Sequence, residues 1–238
     1  MKLENTTILV TGSNRGIGKA LVEELLKHPV KKIYAAARKT EELPAFGDSR
    51  VVPLKLDITD PDLVAKAAGL AQDVDIVINN AGVATFSSVV TGEPDALKHD
   101  LEVNYLGTLN VVRAFAPVLE KKGGGAIANV LSVLSLASMS AVGGYSASKA
   151  ALFSATQAMR AELKAKGISV HGIFPGPIDT DMSRDFAMPK TGAPETAENI
   201  IKGILADQED IFPDPMSAQV GEVWAKDPKG LERQFSAM

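Results

Sequence analysis

Short apolar runs alternate with longer stretches in which apolar residues return every three or four positions. Residues 6–11, rich in β-branched side chains, predict a buried strand, and 32–37, 51–56, 74–78, 126–131 and 168–174 predict five more. Between them the helical period takes over. Ala20, Leu21, Leu25 and Leu26 repeat at helical spacing. Asp60 is placed to cap a helix reaching residue 72, with Pro61 in its first position. A long helical pattern covers 94–122 and ends at three consecutive glycines, and another covers 145–166 and closes at Gly167. Apolar strands separated by amphipathic helices predict an α/β fold, a doubly wound parallel sheet with helices on both faces. No linker or repeat interrupts the series, so 1–238 reads as a single domain.

Composition narrows the function classes. With 238 residues and 45% hydrophobic side chains, the chain has ample material for a core. A net charge of -4 without a basic stripe speaks against a nucleic-acid partner. No apolar run reaches the ~18 residues needed to cross a bilayer. The first residues carry no apolar leader, so a cytoplasmic protein with no membrane partner is expected. Cysteine is absent, and the three histidines (His28, His99, His171) are scattered, which leaves no metal-ligand spacing.

The first strand runs into Gly12-Ser13-Asn14-Arg15-Gly16-Ile17-Gly18, and a helix follows. Strand, glycine-rich turn and helix together fit a dinucleotide phosphate site. Glycine permits the turn and the close approach of a pyrophosphate, while the helix N-terminus offers free N–H groups. Tyr145 stands four residues before Lys149, which on a helix puts both on one face. A lysine ammonium there is expected to lower the tyrosine pKa from ~10 toward a useful range for general acid–base work. Alone, either motif also fits a tight turn or a solvated helix face.

Taken in order, Thr11 to Gly18, Asp57, Asn79-Asn80-Ala81-Gly82, Asn104, Ser132, Tyr145 to Lys149 and Pro175-Gly176-Pro177-Ile178-Asp179-Thr180 resemble the short-chain dehydrogenase/reductases, specifically their compact members. The resemblance spans 6–180 and implies a Rossmann-type fold. It also implies a catalytic set of Asn104, Ser132, Tyr145 and Lys149. In that set Tyr145 exchanges a proton with the substrate oxygen, and Ser132 holds that oxygen. Lys149 binds the nicotinamide ribose, while Asn104 kinks its helix and anchors a water. Ser135 and Ser138 are neighbouring hydroxyls that a shifted register would bring in instead. Leu131 departs from the family, where a serine is frequent. The resemblance further places Asp57 and Ile58 beside the adenine, and Asn80, Ala81 and Gly82 along a ribose and the cleft floor. Pro175, Gly176, Ile178 and Thr180 fall near the nicotinamide.

Cofactor choice follows from charge. An NAD site carries an acid after the second strand. Here Ala37 is followed by Arg38, and Arg15 lies in the glycine loop. Guanidinium groups suit a 2′-phosphate, so NADP(H) is expected. Residues 181–194 correspond to the family's mobile substrate loop. Met182, Phe186 and Met188, with Met139 and Val142 opposite, could line an apolar pocket or serve as ordinary core. Arg184 and Lys190 fit either an acidic substrate or a solvated surface. Relatives pair through the helices around Asn104 and after Tyr145, so a homodimer or homotetramer is expected. The reading is an NADPH-dependent carbonyl reductase, reversible as an alcohol dehydrogenase, acting on small apolar ketones or aldehydes. A 3-oxoacyl-acyl-carrier-protein reductase and a non-catalytic NADPH sensor are the alternatives; the C-terminal segment lacks the glycine-rich strand usual in the former.

Overall fold

The first strand, β1 (Thr7–Thr11), is buried along its whole length and feeds directly into helix α1 (Gly16–Leu25). A computed structural model describes residues 2–237. After α1 come β2 (Lys32–Ala37), β3 (Val51–Lys55), α2 (Pro61–Leu70) and β4 (Ile76–Asn79). Asp60 caps α2 as its sequence suggests, its carboxylate accepting from the Asp62 and Leu63 amides at 2.9 and 3.1 Å.

The long pattern at 94–122 resolves into α3 (Pro94–Leu101), a π-helical turn over Glu102–Gly107, and α4 (Thr108–Lys121). Beyond it lie β5 (Gly125–Val130), α5 (Gly143–Lys164) and β6 (Ile168–Ile173). Next come the paired two-residue strands β7 (Ile178–Asp179) and β8 (Thr191–Gly192), then α6 (Ala193–Leu205). The last elements are β9 (Asp210–Ile211), α7 (Pro215–Lys226) and α8 (Pro228–Ser236).

Seven strands form one sheet in the order β3-β2-β1-β4-β5-β6-β9, with every pairing parallel. This is the Rossmann-type doubly wound arrangement that the alternating pattern predicts. Successive side chains leave opposite faces of a strand, and the two core layers follow that rule. Leu9, Val77, Ile127 and Val170 pack against Val64, Phe115, Leu119 and Leu163 of α2, α4 and α5. Ile8, Val10, Ile76, Ile78 and Ala128 pack on the other face against Leu21, Leu25, Ile200 and Ile204 of α1 and α6. Strand order reverses between β1 and β4. In such sheets the crevice beyond the carboxyl ends at that switch point is where ligands bind.

Two further features position that crevice. A buried amide ladder joins two strands to α5: Asn79 Nδ2 donates to Asn129 Oδ1 at 2.9 Å, and Asn129 Nδ2 donates to Thr156 Oγ1 at 3.0 Å. It fixes α5, and therefore its N-terminal turn, against the sheet. A smaller core made by Val133, Ala137, Val220, Leu231 and Phe235 seats α7 and α8 under the turn that follows β5.

Candidate active site

A cavity of about 490 Å³ opens at the carboxyl ends of the strands, running from the glycine loop and the end of β2 to the N-terminus of α5 and the substrate loop. Its architecture begins at the β1–α1 turn. Gly12 has φ +66°, and a Cβ there would stand 2.9 Å from the Ala81 backbone, so only glycine lets the two loops meet. At Gly18 a Cβ would run into the Gly12 carbonyl and the Asn80 amide. Thr11 Oγ1 accepts from the Asn80 and Ala81 amides, each at 3.0 Å, and so locks the loop after β4 to the glycine turn.

These contacts show what three of the expected cofactor residues do within the fold itself. Ser13 is fully buried, its hydroxyl donating to the Val10 carbonyl at 2.7 Å, and it turns away from the cavity. Gly18 is also buried and acts through close packing under the loop. Asn80 lines the cavity, and its Nδ2 donates to the Thr11 and Gly12 carbonyls at 2.9 and 3.1 Å, so the side chain also braces the turn. For Ser13 and Asn80 the backbone needs a partner at a tight turn, and the side chain supplies it. Gly12, Asn14, Arg15, Gly16 and Ile17 do line the cavity, as do Arg38, Asp57, Ile58, Ala81 and Gly82. Arg38 is exposed at the end of β2, whereas Arg15 pairs at 3.5 Å with Asp181 of the substrate loop. Lys39, Glu42, His99 and Glu102 line the same end; no motif marked them, because they belong to exposed turns and helix faces.

At the other end, Ser132, Tyr145 and Lys149 lie together on the cavity wall. Ser132 opens a short turn in which its hydroxyl accepts from the Leu134 amide at 3.1 Å. Ser135 Oγ accepts from the Ser132 amide at 3.2 Å, so the second serine supports the first, while Ser138 is exposed away from the cavity. Tyr145 is half-buried, with the Ser132 side chain near enough to act on its phenol. Lys149 is buried, with Nζ 5.7 Å from the centre of the Tyr145 ring and donating to the Val130 carbonyl at 2.7 Å.

Electrostatics correct one expectation. Burial pushes the Tyr145 phenol up to about 12; the Ser132 hydroxyl opposes this, and the Asp100 carboxylate adds to it. Burial likewise lowers the Lys149 ammonium from 10.5 to about 8, against the pull of Asp100. The protein's own groups therefore hold the tyrosine protonated at neutral pH. Desolvation outweighs any help from a lysine that faces the ring and a strand carbonyl.

Asn104 sits in the π-helical turn, fully buried. Its Oδ1 accepts from the Val83 amide, and its Nδ2 donates to the Val83 carbonyl, both at 2.8 Å. Nδ2 also reaches Ser148 Oγ on α5 at 2.9 Å. A Cβ on Gly82 would lie 3.0 Å from Asn104 Oδ1 and 3.5 Å from Lys149 Nζ, which measures how closely the three elements converge. Asp214, buried at the N-cap of α7, accepts from the Gly176 amide at 2.8 Å and secures the Pro175–Ile178 stretch along the cavity. Thr180 lines the cavity as well.

Met139, Val142, Met182, Phe186 and Met188 line the substrate end. Phe86, Met216 and Phe235 join them from segments whose sequence carries no recognisable signal. No cluster of three or more His, Cys, Asp or Glu suited to a metal occurs among the described residues. No helix among them is long and apolar enough to cross a membrane.

Residues 6–190 match the short chain dehydrogenase family. A short chain dehydrogenase from Burkholderia cenocepacia, crystallised with NADP, is 38% identical, covers 99% of both chains and superimposes with a TM-score of 0.94. The NADP-dependent 3-hydroxy acid dehydrogenase of Schizosaccharomyces pombe is 32% identical over 84% of this chain and 81% of its own length. A 3-oxoacyl-acyl-carrier-protein reductase of Vibrio cholerae is 29% identical over 89% of this chain and 88% of its own.

Proposed function

The chain belongs to the short-chain dehydrogenase family of oxidoreductases, and on that premise we propose that it is an NADPH-dependent carbonyl reductase, reversible as an alcohol dehydrogenase, for apolar ketones and aldehydes. The whole of 1–238 acts as one dinucleotide-binding and catalytic unit. The observation that carries this reading is the convergence of Ser132, Tyr145 and Lys149 on the wall of a cavity whose far end is the glycine loop.

The cavity residues fit NADP(H). Gly12 to Ile17 and the N-terminus of α1 suit the pyrophosphate, with Asp57 and Ile58 at the adenine. The Pro175, Gly176, Ile178 and Thr180 segment suits the nicotinamide end. Arg38 and Arg15 match the 2′-phosphate, and the position at the end of β2 where an NAD site carries an acid is Ala37. The NADP-bound relative at 38% identity supports the same choice. When bound, the nicotinamide supplies or takes the hydride.

The rest of the chemistry falls to the chain. Ser132 donates a hydrogen bond to the substrate oxygen and orients it toward Tyr145. Tyr145, kept protonated at neutral pH by burial, gives its proton to that oxygen as the carbonyl is reduced. Lys149 holds the cofactor ribose and keeps positive charge near the phenol. Asn104 positions Lys149's surroundings by tying Val83 to α5. The apolar wall of Met139, Val142, Met182 and Phe186 excludes water and favours an uncharged substrate. Relatives of this family commonly oligomerise, and the exposed Leu101 and Leu106 beside α4 suit such pairing.

The second reading, a 3-oxoacyl-acyl-carrier-protein reductase, is favoured by the similarity to the Vibrio cholerae enzyme. The test is NADPH oxidation with a panel of apolar ketones, 3-oxoacyl thioesters and a substrate-free control. Turnover of the ketones above the thioesters supports the proposal. Preference for the thioesters selects the second reading, and NADPH binding without any turnover contradicts both.

A further inference from the structure

Phe86 is a bulky residue in a backbone conformation that such residues rarely adopt, with φ +51°. Its ring is also 45% exposed, so neither local preference nor burial explains the arrangement. Strain of this kind persists where the surroundings fix it, and here they do. On one side, the Thr85 amide and hydroxyl donate to the buried Asp100 carboxylate at 3.1 and 2.7 Å. On the other, the Ser87 carbonyl accepts from the Gly144 amide at 3.1 Å, one residue before Tyr145. The chain is thus pinned on both sides of Phe86, and the pins hold the ring out over the cavity.

There it meets Phe186. The ring centres are 5.5 Å apart and the planes cross at 81°, an edge-to-face pair. Phe186 is 37% exposed and comes from the opposite wall, on the segment between β7 and β8. Its own anchors are local, a hydrogen bond from its amide to the Ser183 carbonyl at 3.0 Å and neighbouring contacts within the same segment. One jaw is therefore fixed to the catalytic helix and the other is carried by the substrate loop. Behind them stand Met139, Val142, Met182 and Met188, flexible and apolar side chains that adapt to a flat surface.

We propose that Phe86 and Phe186 form an aromatic clasp across the pocket mouth, and that it selects aryl ketones and aldehydes by packing their ring against the exposed faces of the pair. The carbonyl then projects inward to Ser132 and Tyr145. The substrate class rests on the carbonyl-reductase reading, whereas the clasp itself does not.

The test compares wild type with Phe86→Gly and Phe186→Ala. Glycine accepts positive φ without strain, so Phe86→Gly keeps its melting temperature; Phe186→Ala changes an exposed side chain and gives an independent second jaw. With NADPH, kcat/KM for acetophenone is expected to fall about tenfold in each variant, the size of one lost aromatic pair, and that for 2-butanone to fall less, so that the acetophenone-to-2-butanone ratio drops in both variants. Equal losses for the two ketones overturn the proposal. Benzamide, which resists reduction, supplies a readout without turnover. Its affinity by calorimetry is expected to weaken by a similar factor in both variants, and an unchanged affinity, or none in wild type, overturns the clasp. If wild type reduces neither ketone while benzamide binds and the variants weaken it, the clasp stands and the carbonyl-reductase reading falls. If 2-butanone is reduced but benzamide is indifferent to both changes, the reading stands and the clasp falls.

Discussion

Replacing Lys149 by methionine is expected to remove a pH dependence of stability that the wild-type fold carries. The lysine is buried, and its ammonium is lowered from 10.5 to about 8. At ~1.36 kcal/mol per pH unit, that gap corresponds to about 3 kcal/mol. Its sign follows from proton counting. Below pH 8 the lysine is charged in both folded and unfolded chains, and the full burial penalty applies. Between about 8 and 10.5 the folded chain has released the proton while the unfolded chain still holds it, so stability rises with pH. Tyr145, raised to about 12, loses its proton earlier in the unfolded chain and reverses the trend only above pH ~10. Methionine approximates the volume of the lysine stem and has nothing to titrate, though it leaves the Val130 carbonyl without its donor, at a cost of about 1–3 kcal/mol. At pH 7 the variant is expected to match or exceed wild type in stability while losing turnover. Urea midpoints of the cofactor-free proteins, taken between pH 7 and 10, provide the assay. Wild type is expected to gain most of the 3 kcal/mol relative to Lys149→Met across that range. Parallel curves would refute the claim that this ammonium is held against its desolvation.

Two other substitutions probe the cofactor end. Arg38→Asp puts an acid where Arg38 now stands exposed, and the NADPH-over-NADH ratio of kcat/KM is expected to drop by about ten- to a hundredfold, the worth of one charge-assisted hydrogen bond; an unchanged ratio removes Arg38 from phosphate recognition. Gly18→Ala drives a methyl into the Gly12 carbonyl and the Asn80 amide, and about 1–3 kcal/mol of stability is expected to be lost with weakened NADPH binding; a wild-type melting temperature would mean the turn is not packed this tightly.

The sheet is legible in the sequence because every central strand is buried on both faces and so reads as a continuous apolar run. Observed and expected limits for β2, β3 and β5 differ by at most one residue at either end. The π-helical turn at Asn104 is not legible. It adds a residue to one helical turn without altering the apolar stripe, so 94–122 reads as one helix. Strands β7, β8 and β9 have two residues each, too few for any period to register.

At the site, the motifs locate the glycine turn and the Tyr145–Lys149 pair, but they do not say which way each side chain faces. Ser13 and Asn80 answer backbone needs that arise only when β1 and the loop after β4 are brought together. Spacing put a lysine beside a tyrosine and suggested a lowered pKa. The degree of burial decided the direction instead, and burial is a property of α5 packed against β5 and the Asp100 segment. Phe86 carries no signal of period or motif, since its position depends on pins that Asp100 and Gly144 supply from distant parts of the chain.

The central claim is that the Tyr145 phenol delivers the proton to the substrate oxygen during hydride transfer. Stopped-flow NADPH oxidation with an apolar ketone, wild type against Tyr145→Phe, tests it most directly when paired with NADPH affinity from fluorescence titration. The account predicts a fall in the hydride-transfer rate of about a hundredfold or more with NADPH affinity nearly unchanged. A phenylalanine variant that still transfers hydride at close to the wild-type rate would contradict it.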